Sequence, residues 1–222
     1  MRGQYSIYFM ELSTNREYLE HLIAEGEHIH QDFKFEISSA RKIAKSLSAF
    51  ANTDGGRLLI GVKDNGKIAG VSSDEELYMI EAAADVYCSP KVNFEVEQIQ
   101  VDGMTVLNVW IPEVKEKPIY ARDEQGKSWA YVRIADENIL ANVVQLDVWK
   151  NANKALGELL TYTSEERSLL QELGEHGPLS INQLARNTNL DRRRVIQLLT
   201  KFILFDVVES LFIHRGFSYQ LK

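Results

Sequence analysis

One cysteine, Cys88, stands among 222 residues, so no disulfide can close within the chain, which fits a reducing compartment. Its place near the end of a helical stretch predicts a core thiol and not a reactive one. Long apolar runs are also missing: none approaches the roughly 18–20 consecutive apolar residues that span a bilayer. After Met1-Arg2-Gly3-Gln4-Tyr5, an apolar patch from Ile7 to Met10 is cut short by Glu11, without the longer core and cleavage site of a secretory signal. The expectation is a cytoplasmic protein with no membrane partner. Nor is there an excess of positive charge. Against 25 Lys and Arg stand 32 Asp and Glu, a net −7, which excludes a general polyanion binder but leaves room for a local basic patch. Repeats and low-complexity tracts are absent. What remains, 45% apolar and 26% charged residues, is the composition of a globular protein. The length suits one large domain, or a medium one plus a small one.

The acidity is uneven. From Thr161 onward eight basic residues meet seven acidic ones, whereas the preceding part holds 17 basic and 25 acidic. Any positive face must therefore come from the C-terminal quarter.

Periodicity predicts a helix around Glu17 to Glu25 and an alternating strand from His28 to Glu36. A helix capped by Ser38 or Ser39 follows to about Thr53, with Ile43, Leu47, Phe50 and Ala51 as its apolar stripe. Asn52-Thr53-Asp54-Gly55-Gly56 ends it. Leu58 to Val62 is apolar on both parities, as in a strand covered on both faces. Asp64-Asn65-Gly66-Lys67 reads as a hairpin turn into Ile68 to Val71, and Ser73 to Tyr87 as a helix. Asp102-Gly103 joins two strands, Asn93 to Val101 and Met104 to Ile111. Trp129 to Ile134 reads as a further strand, and a helix from about Leu140 to Leu160 closes the domain. Strands, hairpins and helices in this mixture predict an α+β layer fold. The division expected is a tail at 1–14, a mixed domain at 15–160 and a small domain at 161–222.

The small domain reads as a winged helix-turn-helix. Thr163-Ser164-Glu165-Glu166 and Ser180-Ile181-Asn182-Gln183 are capping boxes opening two helices, the first stopped by Gly174 or Gly177-Pro178. Asp191 caps a third helix, with Val195, Leu198, Leu199 and Phe202 facing inward. Two β segments, Val207 to Ile213 and Phe217 to Leu221, follow around a tip of His214-Arg215-Gly216. At 100° per residue, Arg193, Gln197 and Thr200 lie opposite the apolar stripe, with Arg194 and Lys201 beside them and Arg192 at the start. Arg and Gln can read base edges, Lys and Arg can hold phosphates, and Arg215 can reach an adjacent phosphate or minor groove. The bland alternative is a solvated helix face on a protein-interaction module.

Ala49-Phe50-Ala51-Asn52-Thr53-Asp54-Gly55-Gly56-Arg57-Leu58-Leu59-Ile60-Gly61-Val62-Lys63-Asp64 resembles the signature of the Schlafen AlbA_2 family. Glu27 with Asp32-Phe33-Lys34 upstream, and Lys117-Pro118-Ile119-Tyr120 and Tyr131-Val132-Arg133-Ile134 downstream, extend the resemblance over roughly residues 15 to 140. It implies a mixed-sheet domain, and with a C-terminal winged helix a bacterial DNA-binding transcriptional regulator, a homodimer on duplex DNA needing no cofactor. It also implies an alternative, the metal-dependent endoribonuclease of some animal relatives. Glu27, Asp32 and Asp64 would then hold Mg²⁺ or Mn²⁺, with Lys34 beside them on the phosphate. Asp32 stands where the family has Glu, and Glu27 has the wrong strand parity unless the chain turns between the two. His28 and His30 share a face but have no further ligand at a metal-binding spacing. Gly55-Gly56 fits a helix-to-strand turn and no phosphate-binding motif.

Overall fold

The computed structural model describes residues 15–71, 74–152 and 163–222. The chain forms two compact units, one running through Lys115 and including Ile119–Leu140, the other made of Glu116–Pro118 and Ala141–Lys222. The expected tail at 1–14 lies outside the described residues. Among those described, no helix is long and apolar enough to cross a membrane.

The first unit is mixed α+β. Its elements are, in order, α1 (Asn15–Ala24), β1 (Gln31–Lys34), α2 (Ala40–Asn52), β2 (Gly56–Ile60) and α3 (Glu75–Ala82), which continues as a π-helical turn, Ala83–Tyr87. Then come β3 (Cys88–Ser89), β4 (Glu95–Val101), β5 (Met104–Ile111), β6 (Tyr120–Arg122), β7 (Ser128–Ile134) and β8 (Glu137–Leu140). One sheet is ordered β1-β2-β5-β4, with β1 parallel to β2 and the other pairs antiparallel. Leu58 and Ile60 of β2 pack with Ile43, Leu47 and Phe50 of α2, while Leu59 and Val62 pack with Leu19 and Leu22 of α1. The double-parity apolar run is thus the sheet's doubly covered strand. An antiparallel sheet ordered β3-β6-β7-β8 packs on α2. Cys88 is buried in that core, where desolvation raises its thiol pKa to about 12.

The end of α2 is sewn to this second sheet by side chains. Asn52, 3% exposed, donates through Nδ2 to the carbonyls of Ile119 (2.8 Å) and Tyr131 (3.0 Å) and accepts from the Ile119 N–H (2.7 Å). Ser48 Oγ donates to the Ile119 carbonyl and accepts from the Tyr131 N–H; Thr53 Oγ1 accepts from the Arg133 N–H. Short polar side chains in the signature and just before it therefore satisfy backbone groups at the start of β6 and within β7. Gly55, at φ +74°, and Gly56 make the passage to β2. A Cβ on Gly56 would stand 2.3 Å from the Phe50 ring.

Local details differ from the sequence expectation. The strand expected over His28 to Glu36 is confined to β1, because His28 and Gln31 exchange backbone hydrogen bonds around a tight turn. Ile68 makes an isolated bridge to Val62 and opens no strand. The helix expected from Ser73 is described from Glu75, and Ser73 lies outside the described residues.

In the second unit come α4 (Val143–Asn151), α5 (Ser164–His176), α6 (Ile181–Thr188), α7 (Arg192–Leu204), β9 (Val208–Ile213) and β10 (Gly216–Leu221). The helix expected to close the larger domain is α4. It packs on α7, with Val144 buried in the core that holds Leu169, Leu184, Leu198 and Phe202. Its expected extension to Leu160 falls outside the described residues. Both capping boxes form, Thr163 with Glu166 and Ser180 with Gln183, and Asp191 accepts the Arg194 N–H. Gly177 ends α5 at φ +71° and Asn189 ends α6 in the left-handed conformation. β9 and β10 are joined by His214 and Arg215, both at positive φ as a two-residue type I′ turn requires. Leu179 and Tyr219 exchange two 2.9 Å backbone hydrogen bonds, tying the α5–α6 connection to β10.

Candidate functional site

The turn after α1 brings two carboxylates together. The buried Gln31 amide donates to the carbonyls of Leu22 (2.6 Å) and Gly26 (2.8 Å), locking the fold-back. Glu27 then lies beside Asp32 despite its parity: its Oε1 accepts the Phe33 N–H at 3.0 Å. Burial first, and then a side-chain hydrogen bond with Asp32, push the Glu27 carboxyl above its ordinary pKa. Asp32, 4% exposed, is gripped by two cations, Lys34 Nζ at 2.6 Å and Arg133 Nη2 at 3.2 Å.

Arg133 was not singled out as a site residue from sequence, yet it organises this cluster. Its side chain is 1% exposed. Nη1 donates to Asn138 Oδ1 (2.9 Å), Nη2 also to the Gln31 carbonyl (3.2 Å) and Nε to the His28 carbonyl (3.4 Å). The guanidinium lies 5.0 Å from the Phe50 ring centroid. Its one sequence signal is an arginine in an otherwise apolar stretch of β7, which alternation alone reads as solvent-facing.

Asp64 does not join the pair. It is exposed in the Lys63–Lys67 turn, where Gly66 N–H donates to the Lys63 carbonyl and Lys63 N–H to the Lys67 carbonyl. Among the described residues no three His, Cys, Asp or Glu side chains group so as to hold a metal ion. Of the trio Glu27, Asp32 and Asp64, the first two lie side by side, and Asp32 is held by Lys34 and Arg133. His28 and His30 pack edge to face at 6.1 Å, and the His30 N–H donates to His28 Nδ1.

The raised Glu27 pKa carries a sign. An acid whose pKa is higher folded than unfolded adds stability below its unfolded value, and that contribution is lost as pH rises through the folded one. First-unit stability is expected to decline as pH rises from Glu27's ordinary value through its raised one. Glu27→Gln, which keeps a donor toward Asp32, should flatten that decline in urea titrations at successive pH values. An unchanged slope would refute a shared proton.

On the second unit, the basic side chains divide by what they touch. Lys201 Nζ meets Glu166 at 2.8 Å, and Arg194 meets Glu165 at 2.7 Å, so both tie α7 to the start of α5. Burial would raise the 2%-exposed Glu166 carboxyl, but hydrogen bonds from Lys201 and from Thr163 outweigh that and hold it below its ordinary pKa. Thr200, expected on the polar face, is 6% exposed, because α7 packs against α4, α5, α6 and β9 and buries more than a single stripe. Arg192 bonds Asn182 of α6. Arg193, Gln197 and Arg215 are exposed, and among the described residues Arg193 and Arg215 have no acidic partner.

The model of the family Schlafen, AlbA_2 matches residues 27–142. No curated protein matches the chain. Among solved structures it is similar to the DIP2311 protein of Corynebacterium diphtheriae, at 20% identity and a TM-score of 0.45, over 72% of this chain and 35% of that one. It therefore spans about a third of that protein's length. It is also similar to the N-terminal domain of an ATP-dependent DNA helicase RecG-related protein from Nitrosomonas europaea, at 26% identity and a TM-score of 0.40, over 57% of this chain and 92% of that domain.

Proposed function

This chain belongs to the Schlafen AlbA_2 family, and from that premise we propose that it is a DNA-binding transcriptional regulator whose second unit acts as a winged helix-turn-helix. The observation that carries the reading is the state of the cations at the start of α7 and at the hairpin tip. Arg193 on α7 and Arg215 at the hairpin tip are exposed without an acid to neutralise them, whereas of the other α7 cations Arg194 and Lys201 are spent on Glu165 and Glu166 and Arg192 bonds Asn182. A recognition helix presents its N-terminal residues to the major groove, where Arg193 and Gln197 can meet base edges. The β9–β10 turn carries Arg215 as the wing. Arg192, bonded to Asn182, supports the helix from the side. Two copies on two half-sites make the working form a homodimer.

The endoribonuclease reading lacks this support, since Glu27, Asp32 and Asp64 do not group around a metal position. Incubation of the full chain with labelled duplex DNA and with tRNA, in Mn²⁺ or EDTA, separates the two. Shifted, uncut DNA is the expected result, and metal-dependent RNA cleavage would overturn the ranking. Arg193→Ala with Arg215→Ala should weaken duplex binding and make the slope of log K against log salt shallower by about 0.9 for each of the two that holds a phosphate. Persistence of the full slope would move the interface elsewhere.

A further inference from the structure

We propose that the first unit carries a pocket for one unpaired nucleotide, between the start of α2 and the β6–β7 turn. The cavity has a volume of about 340 Å³ and is lined by Arg41, Lys42 and Lys45 of α2 and by Trp129 and Tyr131 of β7. The three cations fall within one helical turn. Among the described residues none of them has a carboxylate partner, although Asp123 and Glu124 line the same cavity. Arg41 lies 4.8 Å from the Tyr87 ring centroid and its Nε is buried without a hydrogen-bond partner. Lys45 Nζ lies 6.0 Å from the Tyr131 ring centroid.

Asp123 is engaged elsewhere. It accepts the N–H groups of Gln125 (2.9 Å) and Lys127 (2.8 Å) and the indole N–H of Trp129 (2.7 Å). The carboxylate thereby fixes an indole that is 39% exposed, a rigid flat surface held open to solvent. Three cations without a carboxylate partner, lining the same cavity as a pinned aromatic plane, call for a ligand that brings negative charge and a flat ring together. A phosphorylated nucleoside does both: phosphate on Lys42, Lys45 and Arg41, base against Trp129, with Glu124 able to accept from a base N–H. The size fits one nucleotide, at the low end of the roughly 300–1,000 Å³ of small-molecule pockets. The same chemistry comes from an unpaired strand or from a free mononucleotide. The site stands on first-unit residues alone and does not rest on the duplex-binding reading.

The test uses the full chain and fluorescein-labelled oligothymidylate, read by anisotropy beside a labelled duplex. Trp129→Ala should weaken single-strand binding by about 5- to 150-fold, the usual worth of one base stack, and leave duplex affinity alone. Trp129→Phe should recover most of it. Lys42→Gln with Lys45→Gln, both on the helix surface, should lower the single-strand salt slope by about 1.4, from about 0.7 per contact. Arg193→Ala with Arg215→Ala should leave the single-strand affinity intact. Displacement of the oligomer by millimolar thymidylate assigns the site to a free mononucleotide, and resistance to it assigns the site to a strand; either supports the pocket. Single-strand affinity unchanged in the folded Trp129→Ala chain and in the double lysine variant overturns it, as does binding of neither probe.

Discussion

Replacing Arg133 by Met is expected to cost the first unit about 3–5 kcal/mol, the range for removing one partner of a buried ion pair. The guanidinium is 1% exposed and is the only described cation inside the core that touches Asp32; Lys34, the other, has a side chain 35% exposed. Its loss leaves the Asp32 carboxylate with Lys34 alone, takes one of two donors from the His28 and Gln31 carbonyls and removes the donor to Asn138 Oδ1. Because Lys34 still neutralises part of the charge, the lower half of that range is the expected value. Lys at 133 should recover little, since one ammonium cannot reproduce a planar fork that serves acceptors on three sides.

The decisive form of the experiment is a double-mutant cycle. Asp32→Asn removes the charge that Arg133 compensates, so Arg133→Met on that background should cost clearly less than on the parent. Amide exchange places the loss: peptides covering β1, α2 and β7 should lose protection. An equal cost on both backgrounds would sink the ion-pair account and leave Arg133 as a hydrogen-bonded spacer over Phe50.

Strong local chemistry is what made parts of this molecule legible in its sequence. Thr163 with Glu166 and Ser180 with Gln183 name their own partners three residues away, and both boxes form. Asp102-Gly103 turns with both residues at positive φ, as the dipeptide predicts. The apolar run Leu58 to Val62 announces a strand covered twice. Illegible were the features decided at long range. β8 pairs with β7 through exposed or half-buried residues and offers no alternation to detect. Thr200 sits on the polar side of its helix by angle, and only its neighbours bury it. At the acidic cluster, the sequence supplied Glu27, Asp32 and Lys34, but the counter-charge comes from Arg133, a hundred residues downstream. The same holds at α7, where Arg192, Arg193 and Arg194 are equivalent in sequence, and only Glu165 and Asn182 tell them apart.

Asn52→Ala is expected to destabilise the first unit by about 2–4 kcal/mol, close to the Arg133 effect though no charge is involved, because buried donors and acceptors lose their partners at roughly 1–3 kcal/mol each. The amide serves both halves of one peptide position: it accepts the Ile119 N–H and donates to the Ile119 carbonyl, and it reaches the Tyr131 carbonyl besides. Ser48 Oγ still donates to Ile119 after the change, so the orphans are the Ile119 N–H and the Tyr131 carbonyl. Asp at 52 tests the division of labour. It keeps the acceptor for the Ile119 N–H, loses both donors and brings a charge to a site 3% exposed, so it should be worse than Ala at neutral pH. Ser48→Ala, which removes one donor and the acceptor for the Tyr131 N–H, should cost less than Asn52→Ala. Urea unfolding of the three variants gives the order Ser48→Ala, Asn52→Ala, Asn52→Asp by rising loss. If Asn52→Ala fell within about 0.5 kcal/mol of the parent, the usual spread of neutral surface changes, the asparagine of the family signature would have to be kept for something other than joining α2 to the second sheet.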